Sequence, residues 1–123
     1  MRNDKTENII VKKTFNFALQ IIDYTEALKE ERKYRLADQL FRSGTSIGAN
    51  VKESQNAESK RDFIHKMKIA AKEADETEYW LELCEASPKY PTNEILLGET
   101  RAIIRILSKI ISTSKKEFNL KMD

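Results

Sequence analysis

Residues that break helices or build chemical centres are scarce in this chain. Its 123 residues include three glycines, two prolines, one cysteine and one histidine. So few helix breakers, together with many Lys, Glu, Leu, Ile and Ala residues, favour long helices. The lone Cys84 excludes an intrachain disulfide, and nothing in the sequence indicates an oxidising compartment. The lone His65 has no second His or Cys at metal-ligand spacing, so neither a metal site nor another cofactor is expected.

A strong charge of one sign and a long hydrophobic run are also lacking. The 22 Lys and Arg against 20 Asp and Glu leave a formal net charge of +2. This is not the strongly basic balance of an obligate nucleic-acid-binding protein, although it is compatible with a locally basic face. The N-terminus carries no apolar run of signal-peptide length. The most apolar stretch, 102–112, is far shorter than the roughly 20 residues that span a bilayer. We therefore expect a cytoplasmic protein without membrane association.

Apolar residues spaced three and four positions apart predict four helical segments. We place the segments at about 8–30, 34–55, 60–86 and 94–116. Ser59 is the predicted N-cap of the third segment, and Thr92 or Asn93 is the predicted N-cap of the fourth. Because the connections are short, sequential helices should be antiparallel neighbours. The expected fold is all-α, an up-down-up-down antiparallel four-helix bundle that forms a single domain over 1–123.

The first three segments each carry one seam of residues that should face the core. The predicted seam residues are Ile10, Thr14, Phe17, Ile21, Tyr24 and Leu28, then Ala37, Phe41, Gly44, Gly48 and Val51, then Phe63, Met67, Ala70, Ala74, Thr77, Leu81 and Cys84. The fourth segment differs, because nine Ile and Leu residues between Ile95 and Ile111 surround it on more than one side. We infer a second contact surface there and self-association of the chain; the alternatives are a helix that is simply deeply buried, or one or two exposed apolar residues of the ordinary kind.

Small and polar residues crowd the stretch from Arg42 to Glu53 inside the second segment. Such residues are poor helix formers, and each glycine costs roughly 1 kcal/mol relative to Ala. The stretch lacks the preceding strand and the Gly-Lys-Ser/Thr ending of a phosphate loop. Close packing against a neighbouring helix is therefore the expected reason for it. On the helix, Gly44 and Gly48 fall on the seam, and the residues beside the seam are Arg42, Ser46, Asn50 and Glu53.

Carboxylates cluster over 73–85 on the third segment. A di-iron bundle needs two Glu-x-x-His motifs, which a single histidine cannot supply. The ordinary interpretation is a solvated acidic face that pairs with lysines one turn away. As an alternative, Asp75 and Glu78 flank the seam and are placed to reach Arg42 or Asn50 on the second segment. A buried Arg–carboxylate pair of this kind would set the register of the helices.

No catalytic set is evident in the sequence. Cys84 falls on the seam of the third segment, where a free cysteine is usually a small buried hydrophobe. A nucleophilic thiolate would need an adjacent base and an electropositive setting. His65 lies about 28 Å away along the same helix, at 1.5 Å per residue. The chain is therefore not expected to be an enzyme.

Basic residues group at the turn between the first two segments, at the start of the third and along the fourth. Nucleic-acid phosphates need only such point charges on one face of a protein. The candidate contacts with RNA or DNA are Arg32, Lys33, Arg35, Lys60, Arg61, Arg101 and Arg105. The alternative is a mixed solvated surface without a ligand. The near-neutral charge predicts modest affinity for each subunit, which an oligomer would raise through avidity.

The pattern Arg-Ser … Ser-Ile … Asn-Val-x-Glu over 42–53 resembles the bacterial four-helix-bundle proteins encoded in intervening sequences of large-subunit ribosomal RNA genes, often labelled S23-type ribosomal proteins. The resemblance covers nearly the whole chain and is strongest from Leu36 to Leu83. It implies an all-α four-helix bundle without an established enzymatic activity. Relatives of the family include accessory proteins of diversity-generating retroelements, which resemble basic pentameric barrels that bind nucleic acid and a reverse transcriptase.

The residues and the resemblance together lead to one expected function and one alternative. The expected function is that of a non-enzymatic homo-oligomer, favoured as a pentamer, which binds RNA or DNA through basic surface patches. The alternative is a protein-interaction adaptor that docks a reverse transcriptase or a ribosome-associated factor through its fourth helix, without contacting nucleic acid.

Overall fold

The computed structural model describes the backbone of residues 5–122 and the side chains of residues 9–120. Over this part of the chain there are four helices and no strand. The helices are α1 (Lys5–Glu30), α2 (Tyr34–Ser54), α3 (Lys60–Ala86) and α4 (Glu94–Met122). Each helix packs against its two neighbours in the cyclic order α1, α2, α3, α4, and the seam between α1 and α4 is the least extensive. The predicted all-α four-helix bundle is confirmed.

Local hydrogen bonds fix where the helices begin. Ser59 has an extended backbone, and its hydroxyl accepts a hydrogen bond from the Asp62 amide at 3.0 Å. At the start of α4, the Asn93 side chain accepts one from the Leu96 amide at 3.0 Å, so Asn93 is the N-cap rather than Thr92. Each cap satisfies one of the amides that a helix N-terminus leaves without a partner.

The end of α1 adopts a left-handed turn without a glycine. Arg32 has a φ of 63°, and its amide donates to the Lys29 carbonyl at 2.9 Å. The Lys33 amide reaches back to the Leu28 carbonyl at 2.8 Å. This pair of bonds is the Schellman arrangement, in which glycine usually occupies the left-handed position. The arginine at that position therefore carries a backbone cost, because its Cβ crowds the left-handed conformation.

All of the predicted seam residues of α1 and α3 are buried. The prediction for α2 was partly wrong, because Phe41 is 47% exposed while Leu40 and Ile47 are fully buried. The difference arises because α2 lies between α1 and α3 and turns the Leu40–Ile47 side of the helix toward both. Phe41 then lies on the flank that faces α1 and solvent.

The apolar residues of α4 are used mostly inside the bundle. Leu96, Ile103, Leu107 and Ile110 are buried, and the partly buried apolar side chains that pack around this core include Leu97, Ile104, Ile106 and Ile111. Ile95 near the start of α4 and Leu120 near its end are the exceptions, each with 75% of its surface exposed. The bundle itself accounts for most of the apolar stripe of α4, which favours the deeply buried helix over a second contact surface on α4.

Two glycines of α2 permit the close approach of α1. A Cβ built on Gly44 would lie 2.7 Å from Cγ1 of Ile21, and a Cβ on Gly48 would lie 3.1 Å from the Thr14 carbonyl oxygen. Gly98 on α4 has no atom within 4 Å of the same position. The packing role expected for Gly44 and Gly48 is thus visible in the contacts between α1 and α2.

Candidate nucleic-acid interface

The polar residues of 42–53 pair with other groups of the bundle. Nη1 of Arg42 lies 3.2 Å from Glu73, and Nη2 forms an ion pair with Glu76. Glu76 also accepts a hydrogen bond from the Trp80 indole at 3.1 Å. The predicted carboxylates, Asp75 and Glu78, were the wrong ones. They lie on the sides of α3 that face solvent and α4, whereas positions 73, 76 and 80 face α2. The pair is also half-exposed rather than buried, with 49% of the Arg42 side chain accessible.

The other members of this stretch bond along α2 or to its neighbour. The Asn50 amide donates to the Ser46 carbonyl at 2.9 Å, and the Ser46 hydroxyl donates to the Arg42 carbonyl at 2.5 Å. Glu53 forms an ion pair with Lys66 of α3 at 3.0 Å. These contacts give the stretch a structural role, and none of its polar groups converges on a shared site.

Deeper in the α2–α3 seam, a pair of hydroxyl groups is buried. The Thr77 hydroxyl lies 2.9 Å from the Ser43 hydroxyl, and it donates to the Glu73 carbonyl at 2.8 Å. Both side chains have no accessible surface. Because the hydroxyl groups satisfy one another and the helix backbone, the pair is a packing feature and not a reactive site.

The seven predicted nucleic-acid contacts do not form one surface. Arg32, Lys33 and Arg35 lie at the end of the bundle where α1 turns into α2, and Lys60 and Arg61 lie at the opposite end. The 27-residue α3 separates the two ends by about 40 Å, at 1.5 Å per residue. These two groups of cations therefore do not form one compact patch.

Several of these cations already have partners. Arg101 of α4 bonds to both Glu78 and Glu82 at 2.9 Å, and these carboxylates raise its pKa. Lys60 forms an ion pair with Glu117 at 2.7 Å. Three cation–ring contacts involve this set: Lys33 over Tyr90, Lys60 over Phe63, and Arg61 over Phe118. Such groups are less available to a phosphate, because a ligand would first have to displace their present partner.

A different basic surface follows the outer side of α4. Residues 101–116 contain five Lys and Arg residues and no Asp or Glu. Lys115 lies next to Lys68 across the α3–α4 seam, and its ammonium group lowers the pKa of Lys68. We call this surface the α4 basic face. Its members are Lys68, Arg105, Lys109, Lys115 and Lys116, and no ion pair among the described residues involves any of them.

Neutral hydrogen-bonding groups accompany these cations. A shallow hollow of about 420 Å³ on α4 is lined by Ser108, Ile111, Ser112, Lys115, Lys116 and Asn119. Hydroxyl and amide groups commonly share phosphate contacts with Lys and Arg. Arg105 is the only member of the α4 basic face that was among the nucleic-acid contacts predicted from the sequence. The signal that identifies Lys109, Lys115 and Lys116 is the run of α4 without a carboxylate. Lys68 joins the face only through the packing of α3 against α4.

The described residues show no constellation suited to catalysis. Cys84 is 1% exposed, and burial raises the pKa of its thiol. The neighbouring Tyr24 hydroxyl donates to the Pro91 carbonyl at 2.5 Å, and burial raises the pKa of this group as well. His65 is exposed on the outer side of α3. Over the described range, no three His, Cys, Asp or Glu side chains are grouped so as to hold a metal ion. No helix in that range is long and apolar enough to cross a membrane.

The fold and its surface are those of a small all-α bundle protein. Most of the described polar groups in the stretch from 42 to 53 help to pack the helices together. A family model described as the 23S rRNA-intervening sequence protein matches residues 6–112. The chain belongs to this family.

A solved structure supports the same assignment. The chain is similar to a protein of unknown function from the S23 ribosomal protein family of Bacteroides thetaiotaomicron, with 39% sequence identity and a TM-score of 0.82. The similarity covers 87% of this chain and 98% of the other. A comparison with curated proteins gives no match. Neither the family description nor the related structure indicates an enzyme.

Proposed function

We propose that this chain is a non-enzymatic, self-associating bundle protein that binds the phosphate backbone of RNA or DNA through the α4 basic face. The observation that carries the proposal is the run 101–116, in which five cations occur without a carboxylate. The formal net charge of the whole chain is only +2. The α4 basic face is therefore a local excess of positive charge.

The pair formed by Lys68 and Lys115 is the best-supported phosphate position. Two ammonium groups side by side repel each other, which is why the pKa of Lys68 is lowered. A phosphate between them would remove this repulsion and accept a hydrogen bond from each amine. Backbone contacts of this type carry little sequence information, so the proposal is for binding by charge and shape.

Self-association completes the proposed function. One subunit offers about five unpaired cations on this face, a number that supports modest affinity at physiological salt. A ring of subunits, with a pentamer favoured, would repeat the face and raise affinity through multivalency without any new contact. The protein would act in the cytoplasm, where ribosomal RNA is present.

Filter binding of the purified protein to a structured RNA, across a salt series, tests this function. We expect affinity to fall steeply and linearly, as log K against log salt, with a slope near 0.7–0.9 per phosphate contact. Binding that does not respond to salt, or no binding at about 50 mM salt, would contradict the proposal.

An adaptor that docks a protein partner through α4 has less support, since most apolar residues of α4 pack within the bundle. Co-purification with and without nuclease separates the two functions. A reverse transcriptase or ribosome-associated partner that is retained after nuclease treatment would favour the adaptor. Loss of the partner would favour an association through nucleic acid.

A further inference from the structure

The side of the bundle formed by α1 and α2 exposes several large apolar side chains. A groove of about 530 Å³ runs between the two helices. Its apolar walls include Val11, Phe15 and Ala18 of α1, and its floor includes Gly48 of α2. Phe15 is 63% exposed, Leu19 on the same side of α1 is 49% exposed, and Phe41 on α2 is 47% exposed. We call this surface the α1–α2 groove.

The small residues of α2 explain the shape of the groove. Thr45, Gly48 and Ala49 carry little side-chain volume, so the floor between the helices lies low while the larger Phe15 stands at its edge. Contiguous apolar surfaces of this kind mark contact sites in soluble proteins more often than isolated exposed side chains do. A trough between two antiparallel helices is suited to a third helix that inserts an apolar ridge.

The same chain offers a matching ridge on α3. Tyr79 and Leu83 lie one helical turn apart on the outer side of α3, and they are 55% and 40% exposed. We call these two residues the α3 ridge. The half of α3 that carries it, 73–85, contains six Asp and Glu residues and no Lys or Arg. Four of these carboxylates form ion pairs within the bundle, so the ridge is apolar along its crest and has Asp75 beside it as a carboxylate without a described ion pair.

Positive charges at the edge of the groove are complementary to the negative charge of Asp75 beside the ridge. Lys12 and Lys52 line one end of the groove, and both side chains belong to exposed residues. No ion pair among the described residues involves Lys12, Lys52 or the ridge-flanking Asp75. If the α3 ridge of one copy packed into the α1–α2 groove of another, Lys12 and Lys52 of the groove would lie close to Asp75 beside the ridge. Complementary potentials of this sort select a partner and its orientation.

We propose that the α3 ridge of one copy packs into the α1–α2 groove of the next copy. This inference rests on the self-association in the proposed function and identifies the surfaces that would produce it. Groove and ridge lie on different sides of one bundle, because α1 and α3 are diagonal in the cyclic order of helices. The contact is therefore head-to-tail, and repetition with closure gives a ring. The outer side of α4 lies outside both surfaces and stays accessible.

Light scattering during size-exclusion chromatography tests the two surfaces. Phe15→Glu places a charge in the groove, and Leu83→Glu places one on the ridge. Both positions are exposed in the single chain, so we expect each variant to keep the helical circular dichroism of the wild type while its mass falls to that of a monomer. Ile95→Glu is the matched control, because Ile95 is 75% exposed and belongs to neither surface. The control should keep the wild-type oligomeric mass.

Mixing the two folded variants distinguishes a head-to-tail contact from a symmetric one. Phe15→Glu retains an intact ridge and Leu83→Glu an intact groove, so an equimolar mixture should form a one-to-one heterodimer. A wild-type chain that is monomeric at every concentration, a Phe15→Glu variant that remains oligomeric, or a mixture that stays monomeric would overturn the inference. The failure of the nucleic-acid proposal is seen separately, as the absence of salt-dependent RNA binding by the wild type.

Discussion

Gly44 of α2 and Ile21 of α1 are packed so closely that a single added methyl group has no room. The nearest atom to a Cβ at Gly44 would be Cγ1 of Ile21 at 2.7 Å, and two more carbons of the same side chain lie at 2.9 Å. Ile21 itself has no accessible surface, so its side chain cannot move toward solvent. The glycine is thus a condition of the α1–α2 contact.

Gly44→Ala should therefore destabilise the bundle although alanine is the better helix former. Overpacking a core typically costs about 1–3 kcal/mol, against about 1 kcal/mol gained in helix propensity. We expect a net loss in the free energy of unfolding by urea denaturation. Gly98→Ala is the matched control, since nothing lies within 4 Å of its added methyl group, and it should stabilise by about 1 kcal/mol. Equal effects of the two substitutions would refute the packing role.

Arg32→Gly should stabilise the protein while removing a cation. Arg32 holds a φ of 63° at the end of α1, where glycine has no steric penalty. We expect a gain of about 0.5–1 kcal/mol in the free energy of unfolding, after the greater entropy of glycine in the unfolded chain is subtracted. Arg32→Ala keeps the Cβ and should show no such gain. RNA affinity should change little in both variants, because Arg32 lies at the end of the bundle, apart from the α4 basic face.

Stability should fall as the pH rises through the alkaline range. Burial raises the pKa of Cys84 in the folded state, whereas a thiol in the unfolded chain ionises near 8.5. Above about pH 8.5 the unfolded chain therefore binds fewer protons than the folded chain, and the free energy of unfolding decreases with pH. The raised pKa of Tyr24 extends this loss above about pH 10.

Urea denaturation between pH 7 and pH 10 measures this effect. Cys84→Ala should be less stable than the wild type at pH 7 because it leaves a cavity, yet it should lose less stability as the pH rises to 10. Parallel pH profiles of the two proteins would contradict the burial of a neutral thiol.

The fold was predictable because helix periodicity depends only on the spacing of apolar residues. The seam from Phe63 to Cys84 and the cap at Ser59 follow from local sequence, and both are present. The sequence wrongly placed Phe41 in the core. Two adjacent stripes of α2 could face the core, and which of them does depends on how α1 and α3 pack against α2. The pairing of Arg42 with Glu76 rather than Glu78 depends on the rotation of α3 in the same way. Rotation about a helix axis is set by tertiary packing, which a single sequence does not determine.

The candidate site was predictable only in part, for a related reason. Counting basic residues identifies Arg101 and Lys60, but their neutralisation by Glu82 and Glu117 depends on which helices are adjacent. Lys68 and Lys115 are far apart in the sequence and become neighbours only when α3 and α4 pack antiparallel. The absence of carboxylates over 101–116 is a local property, and it is the feature of the face that the sequence itself displays.

The salt dependence of RNA binding by a Lys68→Ala/Lys115→Ala variant shows whether the α4 basic face contacts nucleic-acid phosphate. Lys66→Ala is the matched control, because Lys66 is on the same helix as Lys68 but is already paired with Glu53 at 3.0 Å. The measurement is fluorescence anisotropy with a structured RNA from about 50 to 200 mM salt, a range in which phosphate contacts lose most of their contribution.

We predict that the double variant binds more weakly than the wild type at every salt concentration, and that its log–log slope is shallower by about 0.7–0.9 for each phosphate that the variant no longer neutralises. The Lys66→Ala control should keep the slope of the wild type. A double variant whose affinity and slope equal those of the wild type would contradict phosphate binding by the α4 basic face.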